Sequence, residues 1–365
     1  APMRNNSGKL LGYAALQIPL DKINHIMLLR EGMGETGESY LVGQDLLMRS
    51  DSYLDPVNHT VDASFANPEL GKADTEAVRL ALSGIEGKDV MIDYNGNPVL
   101  SCWDIIDVGS GVQWAMLTEI DVAEAFSPKD EEGTYFFEKY VNAYGYYDLF
   151  LINPDGYVFY SAAQESDYQT NMVNGKYYSS GLGKLVREVL EVKEFSFADF
   201  EPYAPSNDEP AAFIAQPVLH QGDVEIIVAL QLPLDGINNI MQERTGMGKT
   251  GETYLVGEDL LMRSDSFLDP ENHTVIASFA NPNLGSVDTE AAREALAGND
   301  DEKIIIDYNG NPVLSAYMPI EVFGHTWALI AEIDQAEVNA PVRSMVMIIL
   351  VIGVAMAVIV ALIAL

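Results

Sequence analysis

Apolar and polar positions along the chain mark its elements before any composition is counted. In YYDLFLINPDGYVFYSA (146–162) two apolar runs flank Asn153-Pro154-Asp155-Gly156. These four residues are turn formers, so a β-hairpin is predicted. GLGKLVREVLEVKE (181–194) sets Leu182, Leu185, Val186, Val189 and Leu190 at helical spacing. FSFADFEPY (195–203) and AAFIAQPVLHQGDVEIIVALQL (211–232) read as three strands, and LDGINNIMQERTG (234–246) as an amphipathic helix ending at glycine. TYLVGEDLLMRSDS (253–266) reads as a second hairpin. DTEAAREALAG (288–298) reads as a short helix with an acidic first turn and a glycine stop, and IIIDYNGNPVLSAYMPI (304–320) and HTWALIAEI (325–333) as strands. Hairpin, helix, then three strands, with a helix in front, is the order of an antiparallel sheet covered by helices on one face, an α+β class. The last stretch differs: MVMIILVIGVAMAVIVALIAL (345–365) has no charged side chain. About 20 apolar residues at 1.5 Å per residue span a bilayer core, so a transmembrane helix is predicted over 343–365.

A repeat organises the rest. Residues 15–101 align without gaps onto 229–315, with 62 of 87 positions identical. GESYLVGQDLLMRSDSYLDP (37–56) answers GETYLVGEDLLMRSDSFLDP (251–270), ASFANP recurs at 63–68 and 277–282, and DYNGNPVLS at 93–101 and 307–315. The repeated unit is called type 2 here, and the different segment between its copies type 1. Residues 1–14 fall opposite 215–228, and both run into ALQ-[IL]-PLD. The expected organisation is therefore the closing strands of a type-1 module (1–20), a type-2 module (21–128), a type-1 module (129–227), a second type-2 module (228–342) and the membrane helix (343–365). On this reading the chain is a fragment trimmed at both ends.

Composition narrows the function. The 365 residues suggest two or three domains of about 150 residues each. A hydrophobic content of 48% excludes wholesale disorder. With 55 acidic against 20 basic side chains, the net charge of −35 repels phosphate backbones, which argues against nucleic-acid binding. The single cysteine, Cys102, excludes an internal disulfide and a cysteine-cluster metal site.

Several motifs invite a wrong reading. GMGETG (32–37) and GMGKTG (246–251) match a dinucleotide fingerprint in spelling, but a helix precedes and a strand follows, the reverse of what that site needs. A phosphate loop would need glycine where Glu243 stands, and the other copy has Glu35 in place of Lys249. Helix capping and a tight turn are the expected roles of these glycines. The histidines, His25, His59, His220, His273 and His325, form no close ligand pair, no nucleophile elbow is present, and no calcium-loop motif occurs. No metal, no cofactor and no catalytic residue is predicted.

With these residues in view the chain resembles the double Cache (PAS-like) extracytoplasmic sensor of bacterial transmembrane receptors, most of all methyl-accepting chemotaxis proteins. GYYDLFLINPDGYVFY, EPYAPS, PAAFIAQPVL, TGETYLVGEDLLMRSDS and WALIAEID carry the resemblance. It implies tandem PAS-like modules, a small-molecule ligand, a homodimer, no enzymatic activity, and a cell-membrane (inner-membrane) location with residues 1–342 outside the cytoplasm. Similar sensors also front histidine kinases and nucleotide cyclases. A structural ectodomain whose modules act as spacers is the alternative.

Such modules bind ligands between the sheet and its covering loops, where a few polar groups converge on an apolar wall. In the type-1 module Tyr157, Tyr160, Asp167, Tyr168, Asn174, Tyr177, Tyr178 and Tyr203 are the candidates. Tyrosine offers a ring and a hydroxyl, and a carboxylate suits a ligand amine. Amino-acid-sensing relatives carry Arg-x-Trp-Tyr before the helix. Lys176-Tyr177-Tyr178 stands near that place without the Arg or the Trp, so the resemblance does not imply amino-acid recognition. In the second type-2 module Tyr254, Arg263, Asp265, Asp307 and Tyr317 are candidates for a second pocket, with an Arg–Asp pair pinning the hairpin as the plainer expectation. Arg49, Asp51 and Asp93 repeat three of these positions.

Overall fold

The computed structural model describes residues 2–15 and 17–364. Ala1, Leu16 and Leu365, which fall in the predicted first and last segments, lie outside the described residues. The chain divides into two compact units, Ala1–Lys139 and Tyr140–Leu365.

In the first unit β1 (Pro2–Arg4) and β2 (Leu10–Tyr13) form an antiparallel hairpin. Then come α1 (Leu20–Met27), β3 (Glu38–Gly43), α2 (Val61–Ala66), α3 (Pro68–Gly71), α4 (Glu76–Leu82), β4 (Gly87–Ile92), β5 (Pro98–Gly109), β6 (Val112–Asp121) and α5 (Val122–Phe126). The sheet is antiparallel in the order β3-β6-β5-β4. Its core face holds Tyr40, Trp103, Ala115 and Leu117 against Ala77, Val78 and Ala81 of α4. The boundary between the units falls within α6 (Phe136–Tyr144).

The second unit opens on the type-1 sheet, formed by β7 (Asp148–Ile152), β8 (Val158–Ser161), β9 (Ser196–Tyr203), β10 (Glu209–His220) and β11 (Asp223–Gln231). All pairings are antiparallel, in the order β8-β7-β11-β10-β9. Counted within the module this is 2-1-5-4-3, the PAS-like order. Helix α7 (Gly181–Val192) buries Leu182, Leu185, Val186 and Val189, the face its spacing predicts, against Phe150, Phe213 and Ile227. Ser180 caps it by accepting from the Gly183 amide at 3.1 Å.

The second type-2 module repeats the first, with α8 (Leu234–Met241), β12 (Glu252–Val256), α9 (Val275–Ala280), α10 (Pro282–Gly285), α11 (Glu290–Leu296), β13 (Asp301–Ile306), β14 (Pro312–Val322) and β15 (His325–Asp334), in the sheet order β12-β15-β14-β13. Strand periodicity shows plainly in β14, where Val313, Ser315 and Tyr317 face the core and Leu314, Ala316 and Met318 face out. Gly285 is required where α9 and α10 meet, because a Cβ there would lie 2.4 Å from Ser278 Cα. Finally α12 (Gln335–Ala364) follows β15 without a loop. It is, among the described residues, the one helix long and apolar enough to cross a membrane.

The structure thus has the α+β fold class read from the sequence. Three local expectations need correction. Helix α8 stops at Met241, short of Gly246, and Gln242 caps it. The cause is Arg244, whose guanidinium takes the carbonyls of Gly248, Lys249 and Gly251 and closes the following residues into a loop. The hairpin expected at 253–266 forms only briefly: the Arg263 amide donates to Leu255 O at 2.7 Å and the Gly257 amide to Leu261 O at 2.9 Å around the bridge Val256↔Met262, but the Leu255 amide turns to Ser264 Oγ, 3.0 Å away, so no second strand is built. The apolar helix begins at Gln335 rather than near 343.

Candidate functional site

Antiparallel pairing collects polar residues at one end of the five-stranded sheet. Asp148 opens β7 and lies in register with Gln231, which closes β11; Ser161 closes β8 and Tyr203 closes β9. The loop 162–180 adds Glu165, Ser166, Asp167 and Tyr177. The Tyr203 hydroxyl donates to Asp167 Oδ2 at 2.5 Å. Ser161 Oγ donates to Asp148 Oδ2 at 2.7 Å, and the Ala163 amide to Oδ1 at 2.9 Å. Tyr147 and Ser206 hydroxyls donate to the two oxygens of Glu165 at 2.8 and 2.7 Å. Gln231 Nε2 reaches Ser206 Oγ at 3.4 Å, which adds Gln231 to the Glu165 group; the Asp148 and Asp167 groups form the rest of this polar network by proximity.

This network is short of donors. Asp148 and Asp167 are both 0% exposed. Asp167 Oδ1 and Gln231 Oε1 are buried without a hydrogen-bond partner. Among the described residues no basic side chain pairs with Asp148, Glu165 or Asp167. Burial accordingly pushes Asp148 up to about 6 and raises Asp167, against the pull of their hydroxyl and amide donors. Burial and the charge of Asp167 raise the Tyr203 hydroxyl as well. Such a site favours whatever brings N–H or O–H donors and positive charge into it.

An open groove of about 330 Å³ is lined by Lys176, Tyr177, Ser180, Glu201 and Asp208 among others. Tyr177 lines this groove, and its hydroxyl meets Ser166 Oγ, next to Asp167, at 2.7 Å and accepts from Lys176 Nζ at 2.8 Å.

The structure therefore brings Asp167, Tyr177 and Tyr203 together. Tyr160 lies buried on β8. Tyr157 stands just before β8, bridged to Asn171, and Tyr168 is half-buried in the loop. Asn174 is an exposed turn residue whose amide bonds Asn171 Oδ1. Tyr178 is half-exposed, with the Arg187 guanidinium 3.7 Å over its ring. Asp148, Glu165, Ser206 and Gln231 were not among the candidates. The signal for two of them was present, since Asp148 and Gln231 are single polar residues within the apolar runs YYDLFLI and IIVALQL.

The second-pocket candidates do not converge. Tyr254 and Tyr317 are core residues. Asp265 fastens α8 to α9, accepting from Asn238 Nδ2 and the Val275 amide at 2.8 Å each. Asp307 shapes the β13–β14 turn by accepting from the amides of Asn309 and Asn311. Arg263 pairs not with Asp265 but with Asp199 of β9, at 2.8 to 3.0 Å through Nε and Nη2, and with Asp259 at 3.0 Å. Trp327 Nε1 also donates to Asp199, at 3.2 Å. This cluster, with Phe197 and Phe200 against Trp327, joins the type-1 sheet to the second type-2 module.

The glycine-rich loops bind a carboxylate of their own chain. In GMGKTG, the amides of Lys249 and Thr250 donate to Glu337 of α12 at 2.8 Å each, and Thr250 Oγ1 donates at 2.6 Å. In GMGETG, Glu35 N and Thr36 N and Oγ1 hold Glu124 of α5 in the same way. Gly246 and Gly248 take φ of 87° and 69°, which only glycine adopts freely.

No protein-family model and no curated protein matches the chain. Solved structures do. The ligand-binding domain of the Pseudomonas aeruginosa PAO1 amino acid chemoreceptor PctB, in complex with L-Arg, is 16% identical, with 54% of this chain and 75% of that one covered at a TM-score of 0.36. The periplasmic sensory domain of the Campylobacter jejuni chemoreceptor Tlp1 is 16% identical, with 60% and 86% covered at 0.37. The ligand-binding domain of the Pseudomonas fluorescens chemoreceptor CtaA, in complex with L-isoleucine, is 13% identical, with 53% and 71% covered at 0.35.

Proposed function

We propose that the chain is the extracytoplasmic, non-enzymatic sensing region of a bacterial transmembrane receptor, and that its type-1 module binds a small polar ligand carrying an amine. The observation that carries this reading is the group of buried, donor-poor Asp148, Asp167 and Gln231 with half-buried Glu165 beside them, with oxygens of Asp167 and Gln231 unpartnered. An ammonium supplies both the charge and the N–H donors that these oxygens lack. The path outward is continuous in contact. Asp199 of the ligand-binding sheet grips Arg263, and the type-2 module passes from β15 directly into α12, which is long and apolar enough to span a bilayer. Ligand then acts by favouring one of two arrangements of this path, which requires unequal affinity for the two.

The test is a thermal-shift screen of the full chain in detergent against amines, polyamines, amino acids and organic acids. Binding to the native state raises the melting point by mass action. A shift with amines that is lost in Asp167→Asn supports the reading. A shift only with organic acids, or one that survives Asp167→Asn, overturns it.

A further inference from the structure

Each type-2 module carries two buried glutamates directly opposite one another. Glu38 of β3 is in register with Glu119 of β6, and Glu252 of β12 with Glu332 of β15. Each is at most 4% exposed. Directly opposed residues of an antiparallel pair lie about 4.5–5.5 Å apart at Cα and share a face, here the core face. The first member of each pair is saturated with donors. Glu252 accepts from Ser266 Oγ at 2.8 Å, from the amides of Phe267 and Leu268 at 3.0 and 3.1 Å, and from the Tyr308 hydroxyl. Glu38 accepts from Ser52, Tyr53, Leu54 and Tyr94 in the same way.

The second member has fewer. Glu119 accepts from Tyr40 and Ser101 hydroxyls at 2.8 Å each, and Glu332 from the Tyr254 hydroxyl at 2.9 Å. The other groups bearing on it are acidic or neutral. They are Asp93 and Glu38 for Glu119, and Asp307 and Glu252 for Glu332, with Tyr94 or Tyr308 across the pair. Helix α11 offers alanines, and Glu337 of α12 is turned to its glycine-rich loop. His59 and His273 stand one ring away, their rings 4.1 Å from those of Tyr94 and Tyr308, and are bonded to Asp55 and Asp269. Among the described residues no Lys or Arg pairs with either member. Two nearby carboxylates in a core without a cation cannot both ionise freely, so the member with fewer donors, Glu119 or Glu332, is the one that holds a proton.

We propose that each type-2 module binds one proton at this cross-strand glutamate pair, so that the region responds to external pH as well as to a ligand. Burial pushes Glu119 and Glu332 to about 7, above the ordinary 4.5. The proton therefore stabilises the native state fully below the ordinary value, and that stabilisation is lost as pH rises through about 7. Glu332 lies two residues before Asp334, whose amide bonds Thr250 Oγ1 at the entry to α12. Loss of the proton places repulsion between β12 and β15 beside that entry.

The experiment is an infrared titration of the full chain in detergent, with glutamate labelled with carbon-13 to separate it from Asp148 and Asp167. Two protonated glutamate carboxyls per chain should disappear between pH 5.5 and 8.5, one missing in Glu119→Gln and the other in Glu332→Gln. The melting point should fall by several degrees over the same range, with each Gln variant flattening the fall. His59→Asn and His273→Asn should leave the response in place. Absence of a protonated glutamate signal in the unmodified chain, or a response that follows the histidine variants, overturns the proposal. The infrared reading of the unmodified chain decides even where a Gln variant does not fold.

Discussion

Thr250 and Glu337 are joined across the entry to the apolar helix. The threonine hydroxyl donates to the glutamate carboxylate at 2.6 Å and accepts from the Asp334 amide at 3.1 Å, so one side chain holds both the last residue of β15 and the first turn of α12. The two neighbouring amides complete a small anion-binding nest. A loop spelled like a nucleotide site is thus filled by the protein's own carboxylate. Thr250→Val removes the hydroxyl while keeping the shape. Hydrogen exchange at the Lys249 and Thr250 amides should speed up, with exchange in β13 and β14 unchanged. Equal rates in the variant would mean that the amides alone hold the helix.

The repeat supplies an internal control for the Asp199–Arg263 contact. Arg263 is 3% exposed and bonded bidentately to Asp199, while its counterpart Arg49 is 20% exposed and paired with Asp45 alone. Breaking a buried ion pair from one side leaves an uncompensated charge and costs about 3–5 kcal/mol. A half-exposed pair contributes about 1 kcal/mol or less. In chemical denaturation Arg263→Ala should therefore destabilise the second unit by several times the loss that Arg49→Ala causes in the first. Equal effects would show that Asp199 adds nothing.

These contrasts also locate what the sequence could reveal. The hairpin at 146–162, helix 181–194 and the strands after it were legible because each carries its own periodicity, its own turn and an apolar face. Helix α9 was not, because Val275–Ala280 is six residues long and is fixed by the Thr274 cap and the packing of Gly285, neither of which leaves a periodic trace. Arg263 was legible as a candidate but not by its partner, since Asp199 lies 64 positions away. In the candidate site Asp167, Tyr177 and Tyr203 follow from residue type, whereas Gln231 joins only because β11 pairs in register with β7 at Asp148.

The first copy extends the comparison of helix entries. Burial is the largest single influence and raises it, but the Thr36 hydroxyl and the amides of Glu35 and Thr36 together outweigh it, holding the Glu124 carboxyl below its ordinary 4.5. A depressed carboxylate stabilises above the ordinary value and loses that contribution as pH falls through the folded one. Acidification through the lowered folded value should release α5 from this loop, and Thr36→Val should move the release to higher pH. The check is the exchange rate of the Thr36 amide against pH, and a rate independent of pH in that range would contradict it.

Asp167 sets stability against binding in the type-1 module. Its carboxyl is raised by burial, so it stabilises the fold when protonated, and that contribution is lost as pH rises through the folded value. Asp167→Asn mimics the protonated form. Without ligand, the variant should melt at or above the unmodified chain at pH 7.5 and show a weaker fall with rising pH, while the amine-induced shift disappears. Tyr203→Phe acts in the opposite sense: it strips Asp167 of its one side-chain donor and should cost about 1–3 kcal/mol. If Asp167→Asn lowered the melting point at pH 7.5 by as much as Tyr203→Phe, the carboxylate would be a structural acceptor for the Tyr203 hydroxyl. A site kept short of donors for an incoming amine predicts the divergence, because an aspartate retained only to anchor Tyr203 has no reason to remain buried with one oxygen unpaired.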